Sequence, residues 1–133
     1  MEAKATAKYV HISPYKVRRV LALIRGRDLP EALAALDFTP GVAAPLIRKV
    51  VDSAAANAES NHGMNRERLR VRRAYADPGP SLRRYRPGSM GRGGVIRRRM
   101  SHITVVLDER PEQAATRRGR RRHTADRKER KEK

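Results

Sequence analysis

The apolar positions of the chain divide it into segments of two distinct periods. Residues 4–12 alternate Lys4, Thr6 and Lys8 against Ala5, Ala7 and Tyr9, then run Val10-His11-Ile12, the pattern of a strand with one buried face. Ser13-Pro14 follows, an N-cap residue with proline at the first helical position. Over residues 14–25, Val17, Val20, Leu21 and Ile24 form the stripe of a core helix, which Gly26 closes. A shorter helix opens at Asp28 and Pro30, with Leu29, Ala32, Leu33 and Leu36 as its apolar side. Phe38, the only phenylalanine, reads as a core plug rather than a base-stacking residue. Thr39-Pro40 repeats the start signal. Ala43, Ile47, Val50, Val51, Ala54 and Ala58 then trace a long helix ending near Asn61, with His62-Gly63 beyond it. Pro45 is tolerated in its first turn. The small residues Ala54, Ala55, Ala56 and Ala58 would let a neighbouring helix or sheet approach closely.

Beyond this helix the period returns to two. Over residues 66–77, Leu69, Val71 and Tyr75 alternate with Arg70, Arg72 and Ala74, and Arg73 interrupts the apolar face. Ile103, Val105 and Leu107 alternate with Thr104, Val106 and Asp108 in a third strand. Between these strands the pattern is basic. Residues 78–107 contain no Asp or Glu, and carry Arg83, Arg84, Arg86, Arg92, Arg97, Arg98 and Arg99 either side of a turn rich in glycine. Two legs of about ten residues would each reach on the order of 30 Å, against a radius of gyration of about 13 Å for a body of this size. The segment is therefore expected to project as a basic β-hairpin, over about residues 78–102.

Charge sharpens this picture. The 133 residues hold 32 Lys and Arg against 14 Asp and Glu, a formal net charge of +18, which favours encounter with polyanions: nucleic acid or an anionic membrane surface. Arginine outnumbers lysine 25 to 7, and guanidinium matches phosphate oxygens bidentately, which favours nucleic acid. Lys16, Arg18, Arg19 and Arg25 fall mostly on the polar faces of the first helix, as a solvated surface or as phosphate contacts. Asn57 and Asn61 share a helix face, either as end caps or as amides presented to RNA. There is no cysteine, no apolar run of membrane-spanning length, and no signal-peptide core, so a cytosolic chain is expected. Residues 111–133, with ten Lys or Arg, four Asp or Glu and almost nothing apolar, read as a basic tail disordered when free.

Catalytic chemistry is missing. His11, His62, His102 and His123 have no metal-ligand spacing, and no paired carboxylates occur. A lone histidine among arginines suits hydrogen bonding to phosphate or backbone. The segment GSMGRGG lacks the lysine and hydroxyl residue that end a phosphate-cradling loop, and reads as a turn. No cofactor and no enzymatic activity are expected.

Five segments carry a family resemblance: SPYKVRRVLALIRG at residues 13–26, EALAALDFTP at 31–40, SAAANAESNHG at 53–63, DPGPSLRRYRP at 77–87 and RRRMSHITVVL at 97–107. In this order they resemble the large-subunit ribosomal protein twenty-two family of bacterial type, over roughly residues 4–110. The resemblance implies an α+β domain, residues 1–110, with three helices on a small three-stranded antiparallel sheet and a long protruding basic β-hairpin. It implies a structural, non-catalytic role in the large ribosomal subunit: binding large-subunit rRNA, aiding assembly, and lining the nascent-peptide exit tunnel. Other large-subunit ribosomal proteins at the constriction and exit, and the nascent polypeptide, would be neighbours; a membrane would not. Carried over by position, Ser13, Lys16, Arg18, Arg25, Arg83, Arg84, Arg86, Arg92, Arg97, Arg98, Arg99 and His102 would contact rRNA. Ser89, Met90, Gly91, Arg92 and Gly93 would form the tunnel tip. The chain departs from the family at Tyr15 and Arg19, where arginine and leucine are common, and at Gly88-Ser89-Met90, which lacks one expected basic residue.

The residues leave one other class open. DNA-bending proteins also combine helices with basic, proline-bearing β-arms that enter the minor groove. Such arms usually need a dimer, and no obvious self-association surface stands out beyond the alanine-rich helix.

Overall fold

The computed structural model describes residues 1–110; the expected basic tail over 111–133 lies outside the described residues. The element order is β1 (Glu2–Val10), α1 (Pro14–Ile24), α2 (Leu29–Phe38), α3 (Ala43–His62), β2 (Leu69–Pro87) and β3 (Gly93–Glu109). The fold is α+β, three helices on a three-stranded antiparallel sheet of order β1-β3-β2.

The helix stripes pack as their spacing predicts. Val17, Leu21 and Ile24 of α1, Leu29, Ala32 and Leu36 of α2, and Ile47, Val51, Ala54 and Ala58 of α3 are buried in one core. They meet Ala3 and Ala5 of β1, Leu69 and Val71 of β2, and Ile103, Val105 and Leu107 of β3. Alanines on both α3 and β1 let helix and strand approach closely, and Asn57 Nδ2 reaches the Lys4 carbonyl at 3.2 Å across that contact. This places Asn57 as a tie between helix and sheet, while Asn61 stays exposed. Gly63 turns left-handed at φ 60°, and the amides of Gly63 and Met64 close the last turn of α3 on the carbonyls of Glu59 and Ala58.

Three local expectations are corrected. Phe38 is 89% exposed and plugs no core, because it occupies the last turn of α2 on the side away from Leu36. Thr39 does not open α3. Its hydroxyl and amide instead close α2 on the carbonyls of Ala35 and Leu36, at 2.6 and 3.2 Å. Tyr75 is not on the buried face either. The β2–β3 register shifts between Val71 and Arg73, so the extra residue moves burial onto Ala74 and Ala76 and turns Tyr75 outward.

A second shift in that ladder marks the root of the arm. Pro78 faces Ser101 and Ser81 faces Arg99, leaving Gly79 and Pro80 opposite Met100 alone. A Cβ on Gly79 would stand 3.3 Å from the Met100 backbone and from the His102 ring, so glycine lets the strands close at the bend. Beyond it the ladder continues in register to Pro87 opposite Gly93. The tip is a single tight turn, Ser89–Gly91, in which Met90 and Gly91 take φ of 56° and 67°. β2 is 19 residues long, on the order of 60 Å at ~3.3 Å per residue, so the expected projecting hairpin is present.

Removing the fully buried Ile47 side chain by Ile47→Ala should cost about 2–5 kcal/mol of stability in urea denaturation. Phe38→Ala should change it by less than about 0.5 kcal/mol. A large loss at Phe38 would mean that the residue packs in solution.

Candidate nucleic-acid interface

In the body, carboxylates pair several of the arginines. Glu2 holds Arg72 and Arg73, Asp28 holds Arg110, Asp37 holds Arg48, and Asp52 lies between Arg48 and Arg66, with Glu59 also near Arg66. Asp108 takes Arg70 bidentately at 2.7 and 3.0 Å, and its hydrogen bond raises the Arg70 pKa further above the usual guanidinium range. Stability from a raised pKa is lost only as pH climbs through it, so the contribution of Arg70 is constant through neutral pH.

The arm has no such partners. Among the described residues, Arg83, Arg84, Arg86, Arg92, Arg97, Arg98 and Arg99 form no ion pair; one Arg84 nitrogen bonds the Arg83 carbonyl at 3.1 Å. Residues opposite one another in an antiparallel ladder share a face. One face therefore carries Leu82 with Arg98, Arg84 with Ile96, and Arg86 with Gly94. The other carries Ser81 with Arg99, Arg83 with Arg97, and Tyr85 with Val95. Three guanidinium groups project on each side, and Arg92 follows the turn. Charge on both faces suits an arm enclosed by phosphates better than one laid on a single surface.

At the arm's root a groove of about 1400 Å³ opens between α1, residues 39–43 and the two legs. The α1 wall is the stripe Lys16, Arg19, Val20 and Leu23, one helical face at i, i+3, i+4 and i+7. Arg84, Arg97, Arg98 and Arg99 come from the legs, and His11 and Ser13 from the turn before α1. No carboxylate lines it. Ser13 is extended and its hydroxyl caps nothing, while its carbonyl receives the amides of Lys16 and Val17. Arg19, a basic residue of α1 that the family resemblance does not carry over as an RNA contact, stands in this wall beside Lys16. Its spacing of three from Lys16 is the signal that could have found it.

Two expected contact residues are engaged within the protein. Arg18 donates from Nε and Nη2 to the Ala76 carbonyl at 3.0 and 2.9 Å, and Arg25 Nε to the Ala74 carbonyl at 2.7 Å. With Gly26 and Arg27 exchanging backbone bonds with Val71, they cover the outer edge of β2, which the strand order leaves without a neighbour. Only their remaining N–H groups are left for RNA. His102 lies on the sheet beside Tyr9, 5.0 Å between rings at 89°, and its Nδ1 accepts the Tyr9 amide at 3.0 Å, which leaves Nε2 as the donor. That bond accompanies a positive φ of 58° at Tyr9, where β1 bulges. Among the described residues no group of three or more histidines and acids is placed to hold a metal, and no helix is long and apolar enough to cross a membrane.

Losing the clamp should be felt as stability. Arg18→Ala should lower the unfolding free energy by about 1–2 kcal/mol through the freed carbonyl, whereas Arg19→Ala should leave it nearly unchanged. Equal losses in thermal melts would show that the edge needs no cover.

The chain is similar to known proteins over most of its length. Residues 5–108 match the family model described as "Ribosomal protein L22p/L17e". A "Large ribosomal subunit protein uL22" of Halothermothrix orenii is 54% identical over 112 residues, 84% of this chain and 99% of that protein. Those of a Thermoanaerobacter species and of Clostridioides difficile are 56% and 53% identical over 109 residues, 82% of this chain and 98% of each relative. A match that runs from β1 through the arm to the end of β3, at that identity, leaves one conclusion: the chain belongs to the ribosomal protein L22p/L17e family, and is a ribosomal protein rather than an enzyme.

Proposed function

We propose that this chain is a structural part of the large ribosomal subunit, in the cytoplasm, that binds large-subunit rRNA through its arm and the groove at the arm's root. The observation that carries the reading is the segregation of charge: carboxylates pair several arginines of the body while seven arm arginines stay unpaired among the described residues. Ser13, Lys16 and the donor of His102 extend the RNA surface onto the body, with the free N–H groups of Arg18 and Arg25 at its margin. Residues 1–110 act as one unit, and the basic segment 111–133 adds phosphate contacts of its own.

The tip, Ser89, Met90, Gly91, Arg92 and Gly93, lines the nascent-peptide exit tunnel in this reading, beside other large-subunit proteins and the passing chain. Met90 is 96% exposed at the far end of the arm, where a wall residue must be. Recognition is by phosphate position and RNA shape, with little reading of bases in duplex regions. That arrangement assists assembly by bridging RNA segments on both faces of the arm.

Counterion release gives the test. With about six to ten phosphates engaged, affinity for large-subunit rRNA fragments should fall by ~10³ to 10⁵ between 50 and 200 mM salt. The variant Arg97→Gln/Arg98→Gln/Arg99→Gln should reduce the slope of log K against log salt by about two to three. A flat salt dependence in the parent chain would refute phosphate binding. The free arm should also be labile, because an isolated two-stranded ladder is marginal in water and Arg83 faces Arg97 directly. Amides of residues 80–100 should exchange rapidly in the free protein and slowly on RNA; slow exchange throughout the free arm would contradict this.

A further inference from the structure

The groove is more apolar than phosphate binding needs. Between its cations, Ile12, Val20, Leu23, Val42, Leu82 and Met100 line it. Val42 is 74% exposed and Leu23 is 43% exposed, so the body leaves these side chains uncovered. The 39–43 loop leaves α2 where the Thr39 hydroxyl donates to the Ala35 carbonyl, and turns through Gly41 at a φ of 120°.

A-form duplex RNA presents phosphates and ribose hydroxyls to a protein and keeps its base faces stacked inside. Such a surface would meet the cations and leave the apolar lining wet. An unpaired segment has a phosphate for each cation and also a bare base face for each apolar side chain. The volume exceeds the ~300–1,000 Å³ of a small-molecule pocket, which leaves room for more than one nucleotide. The complete lack of carboxylates disfavours a basic or zwitterionic peptide as the occupant.

We propose that the groove between α1, the 39–43 loop and the arm's root holds a short unpaired stretch of RNA, its phosphates on Lys16, Arg19, Arg84 and Arg98 and its bases against Leu23, Val42 and Leu82. The proposal rests on the RNA-binding reading and narrows it to a class of RNA structure at one site.

The full chain would be titrated by fluorescence anisotropy against two RNAs at one salt concentration: a 20-base-pair duplex, and the same duplex with a central three-nucleotide bulge. The bulged RNA should bind about tenfold more tightly, the effect expected of one base stacked on a side chain. Leu23→Ser and Val42→Ser, both at exposed positions, should remove that preference while leaving duplex affinity and thermal melting unchanged. Equal affinity for the two RNAs overturns the proposal, as does a bulge preference that survives both substitutions. Tighter binding of a glutamate-rich apolar peptide than of the bulged RNA also overturns it, in favour of a protein occupant. Failure of both RNAs to bind would instead remove the RNA-binding reading beneath it, so the two failures are distinguishable.

Discussion

Everything in this molecule hangs on one strand serving two structures. Over residues 103–107, β3 is the middle of the sheet, paired with β1 and β2, with Ile103, Val105 and Leu107 sealed under the helices. Over residues 93–99 the same strand is one leg of the arm and has a single partner. No linker separates the two regions. The core therefore fixes one end of the arm, and the bend where Gly79 and Pro80 oppose Met100 sets its direction. Burial stabilises the body, while the arm has little burial of its own. Ile96 is the one residue between 83 and 99 that is even partly buried.

Electrostatics explains why such an arm can exist free and yet favours a partner. Two unit charges about 5 Å apart in water repel by only ~0.8 kcal/mol, and physiological salt screens over about 8 Å. The pair Arg83 and Arg97 therefore weakens the ladder without abolishing it. Drying the same surface against another molecule raises that repulsion several-fold unless anions are included. A neutral protein partner would thus be rejected where a polyphosphate is accepted. Specificity for the class of partner comes from what the arm lacks, a carboxylate anywhere in residues 78–107.

The parts of this design that depend on local period were legible in the sequence, and those that depend on strand register were not. Helix stripes such as Val17, Leu21 and Ile24 recur at the helical period whatever surrounds them. The extra residue near Arg72 is different, since the alternation of Leu69, Val71 and Tyr75 reads equally well as an unbroken strand. Only pairing with β3 shows that burial passes to Ala74 and Ala76. Phe38 misled for a related reason: a lone aromatic at a helix end has no period to place it. At the interface the arginine clusters were plain, but Arg18 and Arg25 look the same in sequence as Lys16 and Arg19. What separates them is the unpaired edge of β2, a property of strand order. The groove is harder still to read, because three distant segments build it.

These elements combine into one route for a polyanion. Arg92 follows the turn, and below it Arg86 and Arg84 on one leg and Arg98, facing Leu82, on the other lie within one continuous ladder. At the root the cations pass to Lys16 and Arg19 of α1 across the groove. The edge of β2 that might have continued the path is closed by Arg18 and Arg25. An RNA strand following the arm towards the body is therefore directed along α1 and past the 39–43 loop, and away from the sheet edge. On the proposed reading a second RNA segment would lie on the opposite face against Arg83, and the arm would fix the relative position of two RNA elements larger than the domain itself.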